Sequence, residues 1–315
     1  MRRSLPLVAA LAALACAPSR PALPEVRLHA TVSEGGARAL ASAAQARQVA
    51  VVVPVASGPA SADLAWFGEP SEAVAAEGEL VAGAAPPQPE VDARWKDPAG
   101  RFAPLAARAR VLVKSPKAKL PIEPRRLQDL ADPRLAGRQA LASFGTGLGP
   151  ATAAALALAH GDQSALGFLD LVARNRPRLA ASDEEVRVLV AGGAAGFGLT
   201  GSEEAAAGAA SAAALEVVYP DQDGTGCVVL PTAVALTRRG ASSEAARALL
   251  AWMAGPEAER LLVARAPGYL PLRGGVPVPI GARPVDNLRS LTLDWDGLAT
   301  ARRRLGSKLD GWPLP

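Results

Sequence analysis

Cysteine, histidine and aromatic side chains are scarce in this sequence, and each shortage removes a class of chemistry. Two cysteines, Cys16 and Cys227, cannot build a disulfide framework or a thiolate metal cluster. Two histidines, His29 and His160, are too few for the usual histidine-rich catalytic metal centres. No run of basic residues is dense enough to track a phosphate backbone, so nucleic acid is not an expected partner. Arg302-Arg303-Arg304 reads as a solvated helix face. A Gly-x-Ser-x-Gly elbow, a Gly-x-x-x-x-Gly-Lys phosphate loop and a His-Glu-x-x-His helix are all missing, so neither catalysis nor a cofactor is expected. A long uncharged apolar run occurs only at the extreme N-terminus, which excludes an integral membrane bundle.

What is present is apolar bulk. Half of the 315 residues are hydrophobic, more than a single core usually organises, so two lobes are expected. Met1-Arg2-Arg3 followed by apolar Leu5–Ala15 has the layout of a secretory signal, and residues 1–15 are assigned to it. Ala13-Leu14-Ala15-Cys16 resembles a bacterial lipobox, although the family pattern prefers Leu where Ala13 stands. The resemblance implies acylation of Cys16 and a lipid anchor. Residues 16–25, rich in Pro and Ala, read as a tether.

Beyond the tether, strand-like and helix-like segments alternate, which argues for an α/β architecture. Val26–Ala30, Val49–Val55, Ala62–Phe67, Phe102–Val113, Arg138–Ala142, Gly196–Leu199, Glu216–Tyr219 and Val228–Leu236 read as strands. Helices are expected over Ala37–Arg47, Ala151–His160, Gly167–Arg174, Ser243–Met253 and Pro256–Arg265, with further helix starts at Ser71, after Ser182 and after Thr200.

Several segments, in order, carry a family likeness. They are Asp63–Pro70, Arg94–Phe102, Leu130–Arg138, Val217–Gly226, Leu230–Leu236, Ser243–Leu262 and Leu270–Arg273. Together they resemble the ferric-ion-type solute-binding proteins of ABC transporters. The resemblance implies a type 2 periplasmic-binding-protein fold, with two α/β lobes joined by two hinge crossings around a cleft. Lobe one would hold 26–113 and 227–315, and lobe two 114–226. A monomer is implied, handing a small-molecule or ion ligand to an ABC permease in the inner membrane. Between Val55 and Ala62 this sequence has only Ala56–Ser61, where relatives carry a helix with ligand-facing residues. That gap keeps a second reading open: a non-transport solute sensor, or a paralogue that has lost its ligand.

Ligands in open α/β sheets collect beyond the carboxyl ends of strands, near helix N-termini. That rule selects five loops. The first supplies Thr31, Ser33 and Glu34, the second Trp66 and Glu69, and the third Ser143, Gly145, Thr146 and Gly147. The fourth supplies Thr200, Ser202 and Glu203, and the fifth Tyr219, Asp221 and Gln222. The Ser143–Gly147 loop, free of carboxylates, suits an anion such as phosphate or phosphonate, or is simply a capped glycine turn. Thr31–Glu34 and Thr200–Glu203 have capping-box spacing; turned into the cleft instead, Glu34, Glu203 or Glu204 would favour a hard cation or an amine. The sign of the ligand stays open, and no metal ligand set is assigned. Family members that hold bare ferric iron use a tyrosine pair. With only Tyr219 and Tyr269, far apart, a chelated metal or a metal held with an anion is the compatible form.

Overall fold

The computed structural model describes residues 22–207, 215–278 and 283–312. The expected signal segment, Cys16 and most of the tether lie outside the described residues. No helix among the described residues is long and apolar enough to cross a membrane.

In chain order the elements are β1 (Glu25–Ala30), α1 (Glu34–Ala46), β2 (Val51–Pro54), β3 (Leu64–Phe67), α2 (Pro70–Ala75), β4 (Ala103–Lys114) and β5 (Gln139–Ala142). Then come α3 (Gly149–His160), α4 (Asp162–Arg174), β6 (Arg178–Ala180), α5 (Asp183–Ala191), β7 (Phe197–Gly201) and α6 (Ser202–Ala207). The chain ends with β8 (Glu216–Val218), β9 (Val229–Leu236), α7 (Glu244–Met253), α8 (Pro256–Arg265) and α9 (Trp295–Leu309). The strands follow the order β2-β1-β3-β9-β4-β7-β5-β6, with β8 also on β4.

The long strand β4 organises this sheet. Its first half, Ala103–Ala109, runs antiparallel to β9. From Arg110 to Lys114 it pairs with β7 instead, and β8 joins at Leu112–Lys114. β1, β2 and β3 form a parallel group on one side, and β5, β6 and β7 a second parallel group on the other. Val26 and Leu28 alternate with exposed neighbours along β1, so one face of that strand meets the core. β3, β4 and β9 are buried along nearly their whole length, as expected of strands covered on both faces. β4 and the β8–β9 segment are the two crossings between these strand groups, each group with its helices forming one α/β lobe. The helix α9 lies against both α2 and α3, so the C-terminal residues do not pack on the first lobe alone.

Several local expectations change. Ser33, not Thr31, caps α1, accepting from the Gly36 N–H at 3.3 Å. The Thr200–Glu203 segment is not a capping box. The Thr200 hydroxyl donates to the Asp183 carbonyl, and Ser202 Oγ donates to the Gly268 carbonyl at 2.6 Å. Arg303 and Arg304 are exposed as expected, whereas Arg302 is only partly so, because its guanidinium reaches the buried Glu69. Trp66 is fully buried among Leu64, Leu105 and Val234 rather than facing the cleft. Trp66→Phe should therefore cost only about 1 kcal/mol in denaturant melts and leave solute affinity unchanged; a selective loss of binding would contradict its core role.

Candidate functional site

A cleft of about 230 Å³ opens where the two strand groups converge. The end of β1 supplies Thr31, the α2 turn Glu72, and β4 contributes Arg108. Opposite them stand Thr146 and Gly147 before α3, Ser182 and Asp183 at the start of α5, and Glu203 and Glu204 in α6. These positions lie at strand ends and helix starts, where local backbone amides are unpaired and short loops can face one another.

Each carboxylate has its own restraint. Thr31 Oγ1 donates to Glu72 at 2.5 Å and accepts the Gly68 N–H at 2.8 Å, fixing the β1 end against the β3 end. Arg108 Nη1 lies 2.7 Å from Glu203 Oε1, and both side chains are almost wholly buried. Arg110, two residues along β4, holds Asp183. Glu204 has no such cation in contact. Burial, then the charges of Glu203, Glu184 and Asp183, push its carboxyl up to about 7. Burial opposes the charge of Arg108, but Glu203 beside it keeps the guanidinium protonated above its ordinary range.

The lining is acidic, with Glu72, Asp183, Glu203 and Glu204 against Arg108; Arg110 answers Asp183 and Arg302 lies 3.8 Å from Glu72, so Glu204 is the cleft carboxylate without an ion pair. Behind this lining two fully buried atoms, Glu203 Oε2 and Arg108 Nε, have no protein hydrogen-bond partner, and Oε2 lies against Gly201. The opposite wall is complementary. Leu148, at the N-cap of α3, offers no side-chain hydrogen bond to the helix amides, and Thr146 and Gly147 line the cleft beside them. That helix end suits a negatively charged group.

Of the residues selected from sequence, Thr31, Thr146, Gly147 and Glu203 line this cleft. Ser143 lies just behind it, bonded to the Trp312 carbonyl and the Gly145 N–H, and Gly145 packs so tightly on Leu309 that a Cβ would collide. Ser33 and Thr200 are spent on internal hydrogen bonds, and Ser202 ties α6 to Gly268 and β4. Glu34 is exposed and pairs with Arg38. Glu69 caps α2 and meets Arg302. Tyr219 is buried under Arg283; Asp221 accepts from the Leu127 N–H; Gln222 bridges to Arg289. Asp221 lines a separate cavity around the second crossing.

Sequence reasoning missed Glu72, Arg108 and Asp183, whereas Glu204 belongs to the fourth selected loop and does line the cleft. Arg108 did leave a signal: it and Arg110 are charged residues interrupting the apolar run Leu105–Val113, and each needs a buried partner.

The two tyrosines have different surroundings: Tyr269 is fully buried with its hydroxyl 3.4 Å from Ser33 Oγ, and Tyr219 lies under Arg283. No cluster of three or more His, Cys, Asp or Glu side chains poised to hold a metal occurs among the described residues.

With this geometry in view, the comparisons define the class. The model of the bacterial extracellular solute-binding protein family matches residues 24–269, and the chain belongs to that family. Among solved structures, iron-bound HitA from Pseudomonas aeruginosa superposes with a TM-score of 0.77 at 19% identity, covering 91% of this chain and 99% of that one. The ferric binding protein from Campylobacter jejuni gives 0.80 at 15% identity, with 91% and 98% covered. The periplasmic binding protein AfuA from Actinobacillus pleuropneumoniae, holding fructose-6-phosphate, gives 0.77 at 17% identity, with 90% and 97% covered. No curated protein matches by sequence. The protein captures a solute outside the cytoplasm, and its fold is that of the ferric and sugar-phosphate binders.

Proposed function

We propose that this protein is the solute-binding component of an ABC importer, exported and held at the membrane through Cys16. Its ligand is a small solute with a positively charged group, such as a chelated metal, gripped between lobe one (26–113 and 227–315) and lobe two (114–226). The observation that carries the reading is the gathering of Glu72, Asp183, Glu203 and Glu204 around the cleft, with Glu204 held by no contacting cation. The cationic part meets Glu203, Glu204 and Asp183, while an anionic part, such as the chelator's carboxylate, meets the amides at the start of α3. The ferric-binding neighbours and the sugar-phosphate binder support both halves of that description without choosing the solute. Binding to both lobes at once favours the closed clamshell, which the permease reads. The chain itself performs no chemistry on its cargo.

Calorimetry of the mature chain against ferric citrate, free ferric iron, polyamines, phosphate and phosphonates tests the reading. X-ray scattering follows compaction, and uptake is compared in a deletion strain. A cationic or chelated-metal ligand should bind and compact the protein, and Glu203→Gln should weaken it about tenfold or more. Tighter binding of phosphate that is indifferent to Glu203→Gln would overturn the charge assignment. Binding with normal uptake in the deletion strain would favour a sensor, and silence across the panel a degenerate paralogue.

A further inference from the structure

The strands of the second parallel group have two ends, and only one of them faces the cleft. The residues leaving β5, β6 and β7 supply Thr146, Asp183 and Glu203 to it. The residues entering those strands form the opposite pole of lobe two. β4 runs antiparallel to β7, so the turn after Lys114 emerges at that same pole. Hydrogen bonds join the segments there. Ser115 N–H donates to the Gly196 carbonyl at 3.0 Å, Gly196 N–H to that of Arg138 at 2.8 Å, and Gly137 N–H to that of Asn175 at 2.7 Å.

The charge on this pole has one sign. Segments 115–120, 137–138, 174–179 and 193–196 carry six Lys or Arg and no Asp or Glu. All six, Lys117, Lys119, Arg138, Arg174, Arg176 and Arg178, are exposed. Six exceeds the formal net charge of the whole chain, +4, so the surplus is gathered here instead of being spread over the surface. Nor is it neutralised locally. Glu123 and Glu216 are held by Lys114 and Asp132 by Arg134, whereas none of the six has an ion-pair partner among the described residues. Lys117, Lys119 and Arg138 border an open cavity of about 300 Å³ whose lining holds no carboxylate. Like charges gathered in this way repel one another and draw in anions.

Leu171 and Leu179, beside Arg174 and Arg178, are exposed as well. Aliphatic side chains among cations suit the boundary between lipid headgroups and acyl chains. Aromatic residues, the usual anchors of a protein–protein contact, are absent from the four segments.

We propose that this far pole of lobe two docks on an anionic phospholipid surface. The choice of a lipid partner rests on the proposed anchoring at the membrane and on the two exposed leucines. β1 starts at Glu25, at the end of lobe one away from the cleft. A tether at that end and a basic pole at the other lay the long axis along the membrane, with the cleft between the two contacts.

Sedimentation of the mature, unlipidated chain with vesicles of equal parts phosphatidylglycerol and phosphatidylcholine tests this. Binding is expected to these vesicles and not to pure phosphatidylcholine, and added salt should weaken it. The combined variant Lys117→Ser, Lys119→Ser, Arg138→Gln, all at exposed positions, should bind about a hundredfold more weakly, each cation near an anionic membrane contributing roughly fivefold. Three exposed charges removed from lobe one, by Arg238→Gln, Arg260→Gln and Arg265→Gln, should change binding by less than about threefold. No binding to the anionic vesicles, equal binding to the neutral ones, or equal losses in the two combined variants would each overturn the proposal. Stronger retention on immobilised polyglutamate than on the anionic vesicles would also overturn it, in favour of an acidic polypeptide. Calorimetry of the cleft and uptake are separate readouts, so failure here and failure of the transport reading are distinguishable.

Discussion

Arg108→Met is expected to destabilise the protein by about 3–5 kcal/mol, because it strands a buried Glu203 carboxylate with no counter-charge. Glu203 is 8% exposed, and its Oε2 already lacks a partner. Arg108 also donates to the Gly68 carbonyl at the end of β3, so the substitution removes a tie between that strand end and the hinge. Replacing both partners, as Arg108→Met with Glu203→Leu, should restore most of the lost stability, since two apolar side chains carry no desolvation penalty in the same space. Urea melts of the single and double variants measure the coupling. A single variant within about 0.5 kcal/mol of the parent would show that water reaches the pair and that the cleft is not the low-dielectric site drawn above.

Affinity for a cationic solute should fall below neutral pH, by up to about tenfold per unit, through the protonation of Glu204. With its carboxyl pushed up to about 7, Glu204 in the empty protein carries a proton over part of the physiological range. A cation bound beside it favours the charged form and expels that proton. Binding therefore strengthens as pH rises toward about 7 and levels off above it. Stability of the empty protein runs the other way. A raised folded value contributes stability that is complete below the ordinary carboxyl value of 4.5 and is lost as pH rises through about 7. Titrations in buffers of different ionisation enthalpy count the released proton, and Glu204→Gln should flatten the profile and abolish the release. A parent profile already flat between pH 5 and 8 would dismiss Glu204 as a contact (the window brackets the group's own value).

The alternating pattern of strands and helices was legible because buried strands are continuous apolar runs, as in Leu64–Phe67 and Val229–Leu236. Ordered short motifs revealed the family where no single motif could. The site was only half legible. Thr31 and Thr146 were found because the strand-end rule is topological. Trp66 was misplaced because its strand is covered on both faces, and the sequence carries no mark of which residue faces solvent. Ser33, Thr200 and Ser202 were candidates because a hydroxyl near a helix start serves a ligand or a local amide equally well. Glu72 sits just past the second loop, and Asp183 heads α5, a helix start that no selected loop included. Their importance comes from Arg108 and Arg110, distant in sequence and adjacent only after folding.

The helix α9 limits how far the jaws can travel. It rests on α2 through the Arg302–Glu69 pair and on α3 through packing, with Arg304 reaching Asp162 at the head of α4. Any gaping motion about β4 must carry this strap with one jaw and peel it from the other. The exposed Arg304–Asp162 pair is the cheaper contact to part, while Glu69 is held almost wholly out of water. Wide opening would therefore have to break the contacts of α9 with α2 or those with α3.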